Sequence, residues 1–339
     1  MMRALVTGAS GFVGGFLVEA LRRDGAEVVA CGGPHDTGGE YFRIDLADPQ
    51  TIAAALETAR PNVVFHLAAQ TSVPESLDAP LETYQANAIG SARLADAVCR
   101  YAAGRPPPRV LFTSSAEVYG TRDPRDFPLH EALDLRPATP YGASKAAAEL
   151  VLLAAGRSFG LDVVIGRAFN HIGPGQSERF VVASLAAQLA RIAAGAPSQL
   201  WVGNLETARD FLDVRDVVAA YVALARAGES GQVYNVCSGR AVAIRDLLRE
   251  LMAIARVAVE VREDPSRMRS ADVPFSVGSA EKLRACTGWS PQISLVRSLR
   301  EIYDAARRGV TLSPSSFDSA QDETTALRVN SEGRPESNN

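Results

Sequence analysis

Along the first half of the chain, short runs rich in Val, Ile and Leu alternate with longer alanine-rich stretches whose apolar positions recur every three or four residues. The short runs are "RALVTG", "AEVVACG", "YFRIDL", "NVVFHLAA", "RVLFTSS" and "DVVIGRAFN". Apolar runs with so little alternation suit strands buried on both faces of a parallel sheet. The intervening stretches, "FVGGFLVEALRRDG", "PQTIAAALETAR", "LETYQANAIGSARLADAVCRYA" and "YGASKAAAELVLLAAGRSFG", have the period of crossover helices. The pattern predicts a doubly wound α/β domain over residues 1–168, with ligands held outside the carboxyl ends of the strands.

After Phe169 the rhythm weakens and the loops lengthen. A helix "VVASLAAQLARIAAG", the stretch "ARDFLDVRDVVAAYVALARA", a strand "QVYNVCS" and a helix "IRDLLRELMAIA" follow. They predict a smaller, mainly substrate-binding lobe over 169–310, with some elements returning to the first sheet. Residues 311–339 are polar and rich in Ser, Glu and Asn. Such a segment buries too little apolar area to offset its ordering entropy, which predicts a disordered tail.

Composition narrows the function classes. The chain has 339 residues, 47% of them hydrophobic and 22% charged, with a formal net charge of -4. The tail carries five acidic and two basic residues, so the rest is nearly neutral and no nucleic-acid partner is expected. Cys31, Cys99, Cys237 and Cys286 are scattered without metal-ligand spacing or the density of a disulfide scaffold, which fits a reduced, cytoplasmic setting and no bound metal. Three glycines interrupt the apolar stretch after Arg3, which argues against a secretion signal. No apolar run reaches the length of a membrane helix.

Those glycines, Gly8, Gly11 and Gly14, form G-x-x-G-x-x-G where the first strand meets the first helix. There a bare backbone approaches a pyrophosphate, and helix N-terminal amides bind it, as in Rossmann-like nucleotide folds. The residue that reads the adenosine ribose is expected after the second strand, as an acid for NAD or an Arg for NADP. The stretch "VVACGGPHD" offers neither cleanly: His35 and Asp36 come late, and Arg22 and Arg23 belong to the first helix. The choice between NAD(H) and NADP(H) stays open, and dual use is one expectation. Asp45 faces either the adenine amino group or the N-terminus of the following helix.

Tyr141 and Lys145 are four residues apart in a helical stretch and share one face. An unperturbed phenol titrates too high for acid–base work near neutrality, and a neighbouring ammonium is expected to lower it. The fifth strand ends in "FTSSAEVYG", which puts Ser115 and Glu117 at the sheet edge where a substrate would lie.

With these residues the chain resembles the extended short-chain dehydrogenases/reductases that act on sugar nucleotides. The glycine motif, "HLAA", Asn87 in "QANAIGS", "SSAEVYG", Tyr141-x-x-x-Lys145 and "RAFNHIGPGQ" occur in that family's order between residues 2 and 305. The resemblance implies a catalytic triad of Ser115, Tyr141 and Lys145. It also implies coenzyme contacts from Phe12 and Val13 in the glycine turn, from Asp45 and Leu46, from Leu67, Ala68 and Ala69, and from Tyr141 and Lys145. A homodimer through the helices of "QANAIGSARLADAV" and "YGASKAAAELVLLAA" is implied as well.

Within the family, "RAFNHIGPGQSERFV", "WVGNLETARDFLDVRDVVAAY" and "YNVCSG" resemble reductases that convert GDP-4-dehydro-6-deoxy-D-mannose to GDP-D-rhamnose. GDP-mannose 4,6-dehydratases are near relatives. In a dehydratase Glu117 would be the base at C5, but Ala116 lacks the polar helper that assists loss of the C6 hydroxyl. Dehydratase or epimerase chemistry is the alternative reading. A catalytically silent dinucleotide sensor is the third, and retention of both Tyr141 and Lys145 argues against it. For the GDP-sugar, the resemblance places Asn170 at the sugar or diphosphate, Val202 and Asn204 near the base, Arg209 and Arg269 on the diphosphate, and Asp272 on the ribose. An Arg209–Asp210 ion pair is the plainer reading of Arg209. His171 and Gln176 receive no role.

Overall fold

The apolar runs become buried parallel strands in the computed structural model, which describes residues 1–34, 36, 41–265 and 273–311. These strands are β1 (Arg3–Thr7), β2 (Glu27–Gly32), β3 (Phe42–Arg43), β4 (Val63–His66), β5 (Arg109–Ser115) and β6 (Val163–Ala168). A later strand, β10 (Gln232–Val236), joins them in one seven-stranded sheet of order β10-β6-β5-β4-β1-β2-β3. Leu5 pairs with Val29 on one side and Val64 on the other.

Successive strand residues serve opposite faces, which is why the runs show no polar alternation. Val6, Phe65, Leu111 and Val164 pack against α1 (Phe12–Arg23) and α8 (Val214–Ala227). Leu5, Val64, Val110 and Ile165 pack against α2 (Pro49–Ala59), α5 (Gly90–Tyr101) and α6 (Pro140–Phe159). Leu17 of α1 and Leu152 of α6 are fully buried, and truncating either to Ala costs about 2–5 kcal/mol. The strand order reverses between β1 and β4, so the ligand cleft opens at their carboxyl ends.

Local signals fix the helix ends. Thr139 caps α6 by accepting a hydrogen bond from the Gly142 N–H, Pro140 occupies the first turn, and Gly160 closes the helix in the left-handed region. Asp48 caps α2; Asp45 does not, its carboxylate instead accepting from the Ala47 N–H at 2.8 Å.

One element departs from the sequence reading. The long helix expected over "LETYQANAIGSARLADAVCRYA" follows a short α3 (Val73–Asp78) and is divided into α4 (Pro80–Tyr84), a π-helical turn (Gln85–Ile89) and α5. The wide turn brings Asn87 inside, where its amide donates to the Gln70 carbonyl and the Ser144 hydroxyl and accepts from the Gln70 N–H. Satisfying a buried amide offsets the poorer helix geometry.

The second lobe holds a three-stranded sheet of β7 (Asn170–Ile172), β9 (Ala208–Asp213) and β11 (Ala241–Ala243), and a two-stranded sheet of β8 (Gln199–Val202) and β12 (Glu260–Glu263). The stretch "ARDFLDVRDVVAAYVALARA" splits at Asp213, whose carboxylate accepts from the Arg215 N–H and so starts α8. Leu185 and Leu189 of α7 (Val181–Ala193), Leu247 and Leu251 of α9 (Ile244–Ala255), and Leu299 and Ile302 of α11 (Leu295–Thr311) form its core. Helix α10 (Glu281–Thr287) instead sends Leu283 into the core shared with α8. Arg269, Asp272 and the tail beyond Thr311 fall outside the described residues.

Candidate active site

A cleft of about 1560 Å³ runs from the glycine turn across the carboxyl edge of the sheet into the second lobe. That volume exceeds the roughly 300–1,000 Å³ of a single small-ligand site, so it has room for a coenzyme and a nucleotide substrate together.

At one end the cleft wall is bare backbone. Gly8 has φ +70°, and a Cβ there would lie 2.7 Å from the Ala68 backbone nitrogen. A Cβ on Gly14 would overlap the Gly8 carbonyl oxygen. Only glycine permits both approaches, which bring α1, β1 and the loop after β4 into one cradle. The N-cap of α1 is Gly11, with no side-chain hydrogen bond to the first turn, so those amides remain available to an anion. Three buried polar atoms without partners, Gln70 Oε1, Ser114 Oγ and Gln176 Oε1, belong to residues along the same cleft. Cradle and unpartnered atoms together fit a dinucleotide.

The loop of Leu67, Ala68 and Ala69 is fixed from below. Ser91 Oγ donates to the Asn87 carbonyl at 2.6 Å, so His66 Nε2 donates to Ser91 Oγ and His66 Nδ1 accepts from the Thr7 hydroxyl. Thr7 Oγ1 in turn accepts from the Ala68 N–H. Burial first, and then the Lys145 charge, lower His66 to about 3, so it serves as a neutral strut. Neither this chain of bonds nor the inward turn of Asn87 is visible in the sequence, because each partner comes from a different element.

Ser115, Tyr141 and Lys145 all line this cleft. Ser115, at the end of β5, accepts the Glu117 N–H on its hydroxyl, which starts the 3-10 turn Ala116–Val118. The same side chain lies close enough to act on the Tyr141 phenol. Burial raises Tyr141 to about 12, partly opposed by Ser115, with the Glu117 charge adding to the rise. This corrects the expectation that Lys145 would depress it. Lys145 Nζ instead donates to the Thr113 carbonyl at 2.8 Å and sits 4.8 Å from the Phe112 ring centroid. Burial lowers Lys145 to about 8, against the opposing charge of Glu149. The phenol is therefore held as a proton donor at neutral pH, while the ammonium is poised to titrate just above it.

Helix α6 is locked to the sheet by a network that sequence reasoning missed. Glu149, one turn beyond Lys145, receives a bidentate pair from Arg167 of β6 at 2.9 and 2.7 Å. Arg167 also donates to the Tyr119 hydroxyl, which donates to Asn235 Oδ1. Both ion-pair partners are buried.

Facing the triad, the second lobe contributes Asn170, Asn204 and Arg209 to the cleft wall. Asn170 is exposed at the start of β7. Asn204 Oδ1 accepts from the Glu206 N–H, a local turn. Val202 also borders the cleft, but only 2% of it is exposed because its side chain joins the lobe's core. Asp210 accepts from Ser238 N–H and hydroxyl, Gly239 N–H and Gly278 N–H, so its carboxylate organises the loops beneath Arg209. His171 stacks parallel to Phe12, 6.4 Å between centroids, and donates Nδ1–H to the Phe169 carbonyl. Gln176 donates to the His171 carbonyl. These two residues tie the second lobe's first loop to the glycine turn.

The chain matches the family model described as GDP-mannose 4,6 dehydratase over residues 5–302. It is 42% identical to a GDP-6-deoxy-D-mannose reductase of Pseudomonas aeruginosa, covering 88% of this chain and 95% of that protein. It is 31% identical to a UDP-glucose 4-epimerase of Mycolicibacterium smegmatis, over 90% of this chain and 99% of that protein. Among solved structures, that of RMD from Pseudomonas aeruginosa complexed with NADPH superposes with a TM-score of 0.82 at 40% identity, covering 91% of this chain and all of that one. A Thermus thermophilus UDP-glucose 4-epimerase complexed with NAD gives 0.79 at 33% identity, over 90% and 99%. The family match over residues 5–302 and these relatives place the chain in the GDP-mannose 4,6-dehydratase family of short-chain dehydrogenases/reductases.

Proposed function

We propose that the protein reduces the C4 keto group of GDP-4-dehydro-6-deoxy-D-mannose to give GDP-D-rhamnose, with NADH or NADPH as reductant. The observation that carries this reading is the buried, protonated Tyr141 phenol beside Ser115, on the wall of the cleft that the glycine turn also lines. The 42% identity to a reductase named for this sugar supports the substrate.

The coenzyme supplies the hydride that adds to C4. Ser115 donates a hydrogen bond to the keto oxygen, orienting it and stabilising the charge that develops there. Tyr141 gives its proton to the same oxygen as the alcohol forms. Lys145, as an ammonium, stabilises the phenolate left behind and holds the nicotinamide ribose. Gly8, Gly11 and Gly14 bind the pyrophosphate, with Phe12, Val13, Leu67, Ala68 and Ala69 along the same wall and Asp45 and Leu46 beside the adenine. Arg209 neutralises the substrate diphosphate, joined by Arg269 and with Asp272 on the ribose. Asn170 meets the sugar, and Val202 and Asn204 border the base.

A second reading, GDP-mannose 4,6-dehydratase, draws on Glu117, which borders the cleft beside Tyr141. Ala116 gives no acid to the leaving hydroxyl, so reduction is favoured.

The assembly we infer is a homodimer through α5 and α6, where Leu150 of α6 and Ile89, in the turn leading into α5, leave 59% and 47% of their surface exposed. The compartment is the cytoplasm, in keeping with four free cysteines. No described helix is long and apolar enough to cross a membrane.

The test supplies purified protein with GDP-mannose pretreated with a 4,6-dehydratase and follows oxidation of NADH and NADPH separately. Oxidation with either coenzyme supports the reading. Oxidation of neither, with a 4-keto product formed from GDP-mannose and NADP+, would transfer it to the dehydratase.

A further inference from the structure

Lys145 and Glu149 stand one turn apart on one face of α6, and both are buried, with 3% and 1% of their surface exposed. Opposite charges at that spacing ordinarily pair directly. Here they do not. Among the described residues, each hydrogen bond to the Glu149 carboxylate comes from Arg167: Nε to Oε1 at 2.9 Å, Nη2 to Oε2 at 2.7 Å and Nε to Oε2 at 3.3 Å. The Lys145 ammonium is bonded instead to the Thr113 carbonyl at 2.8 Å. Two of its three protons are left for the cleft that it lines.

A lock between α6 and β6 needs no charges. Apolar side chains of similar volume hold two elements together about as well as a buried ion pair does, so the burial of Glu149 and Arg167 points to a use for the field they make. The groups packed around Lys145 leave that field unopposed. His66 of β4 is neutral, and Tyr141, one turn earlier on α6, keeps its proton. From β5 come only the Phe112 ring and the Thr113 carbonyl. Glu117, in the turn after β5, acts on Tyr141, and the Arg167 guanidinium of β6 is directed at Glu149 and Tyr119. Glu149 is the charge that acts on Lys145.

We propose that Glu149 is a positioning residue: held off Lys145 by Arg167, its carboxylate keeps the ammonium charged from one helical turn away without taking its protons from the cleft. This rests on the reading of Lys145 as the ammonium that stabilises the Tyr141 phenolate, and adds what maintains that charge. Burial by itself disfavours the ammonium. Without the Glu149 charge Lys145 loses its proton at lower pH, and the upper pH limit of turnover falls with it.

The chain has only two lysines, Lys145 and Lys282, so the titration is readable at the side chain itself. Full-length protein carrying isotopically labelled lysine is titrated with alkali and the Cε resonances are followed by NMR, with Lys282→Arg removing the second signal. Glu149→Gln alone would leave the Arg167 charge buried and uncompensated, so the deciding variant is E149Q/R167M, in which both side chains are neutral and near their original volume. Tyr119→Phe is the comparison, because it cuts hydrogen bonds from the same network and removes no charge. In the double variant the Lys145 midpoint is expected to fall by about half a pH unit or more, and in Tyr119→Phe to move by less than about 0.2. A smaller fall or a rise in the double variant, or an equal fall in Tyr119→Phe, overturns the inference. The readout requires no substrate, so failure to reduce the keto-sugar would overturn the proposed reaction alone.

Discussion

The Tyr141 phenol is raised by burial to about 12 and only partly held down by the neighbouring Ser115, which makes it a donor rather than an acceptor of protons at neutral pH. Tyr141→Phe keeps the ring and removes the proton. Turnover is expected to fall about 10²–10⁴-fold, while Kd for the coenzyme changes less than about threefold, roughly 0.7 kcal/mol. Stopped-flow turnover and a coenzyme titration check both halves.

Lys145 gives the reaction a pH limit. Its folded-state value is lowered to about 8, so the ammonium is present below that pH and lost as pH rises through it. The account predicts that kcat for keto-sugar reduction declines with rising pH, with a midpoint near pH 8. A kcat constant up to pH 10 would contradict the role given to Lys145. His66, at about 3, adds no second limb near neutrality.

Gly14 and Gly15 are adjacent in α1 and have opposite tolerances. A Cβ on Gly14 runs into the Gly8 carbonyl, whereas one on Gly15 meets nothing within 4 Å. Gly14→Ala is expected to displace α1 and raise the coenzyme Kd at least about tenfold, roughly 1.4 kcal/mol. Gly15→Ala is expected to leave binding unchanged and to stabilise the fold by about 0.5–1 kcal/mol, as helix propensity dictates. Coenzyme titration and thermal melts of the pair decide it.

The Arg167–Glu149 pair is buried with its partners Tyr119 and Asn235. Arg167→Met leaves the Glu149 charge buried and uncompensated, at a cost of about 3–5 kcal/mol. Urea denaturation measures it, and a loss below about 1 kcal/mol would mean that the pair contributes no more than a surface one.

Leu150 is 59% exposed on α6. Leu150→Arg is expected to shift a homodimer toward monomer, read by sedimentation velocity. A monomeric native protein, or an unaffected dimer in the variant, would remove α6 from the interface.

The sheet was legible in the sequence because both faces of each strand are covered, which turns strands such as "VVFH" and "LVT" into unbroken buried runs. The glycine turn was legible because its three glycines fall at the first strand–helix junction. Tyr141 and Lys145 were legible from helical spacing. What they do to one another was not: burial and the Thr113 carbonyl, both tertiary facts, decide their protonation. The π-helical turn was hidden for a similar reason, since Asn87 turns inward only because Gln70 and Ser144 are there to receive it. Asp36 looked too late in the chain to meet a ribose, and it reaches the end of β2 only through its bonds to Ser10 and Gly33.

The most direct test of the central claim follows deuterium from C4-labelled NADH or NADPH into sugar-nucleotide product by NMR, starting from GDP-4-dehydro-6-deoxy-D-mannose. The account predicts one deuterium at the sugar C4 of GDP-D-rhamnose for each coenzyme oxidised, accumulating about 10²–10⁴-fold more slowly with Tyr141→Phe. Unlabelled product, label at another carbon, or no oxidation of either coenzyme would contradict it.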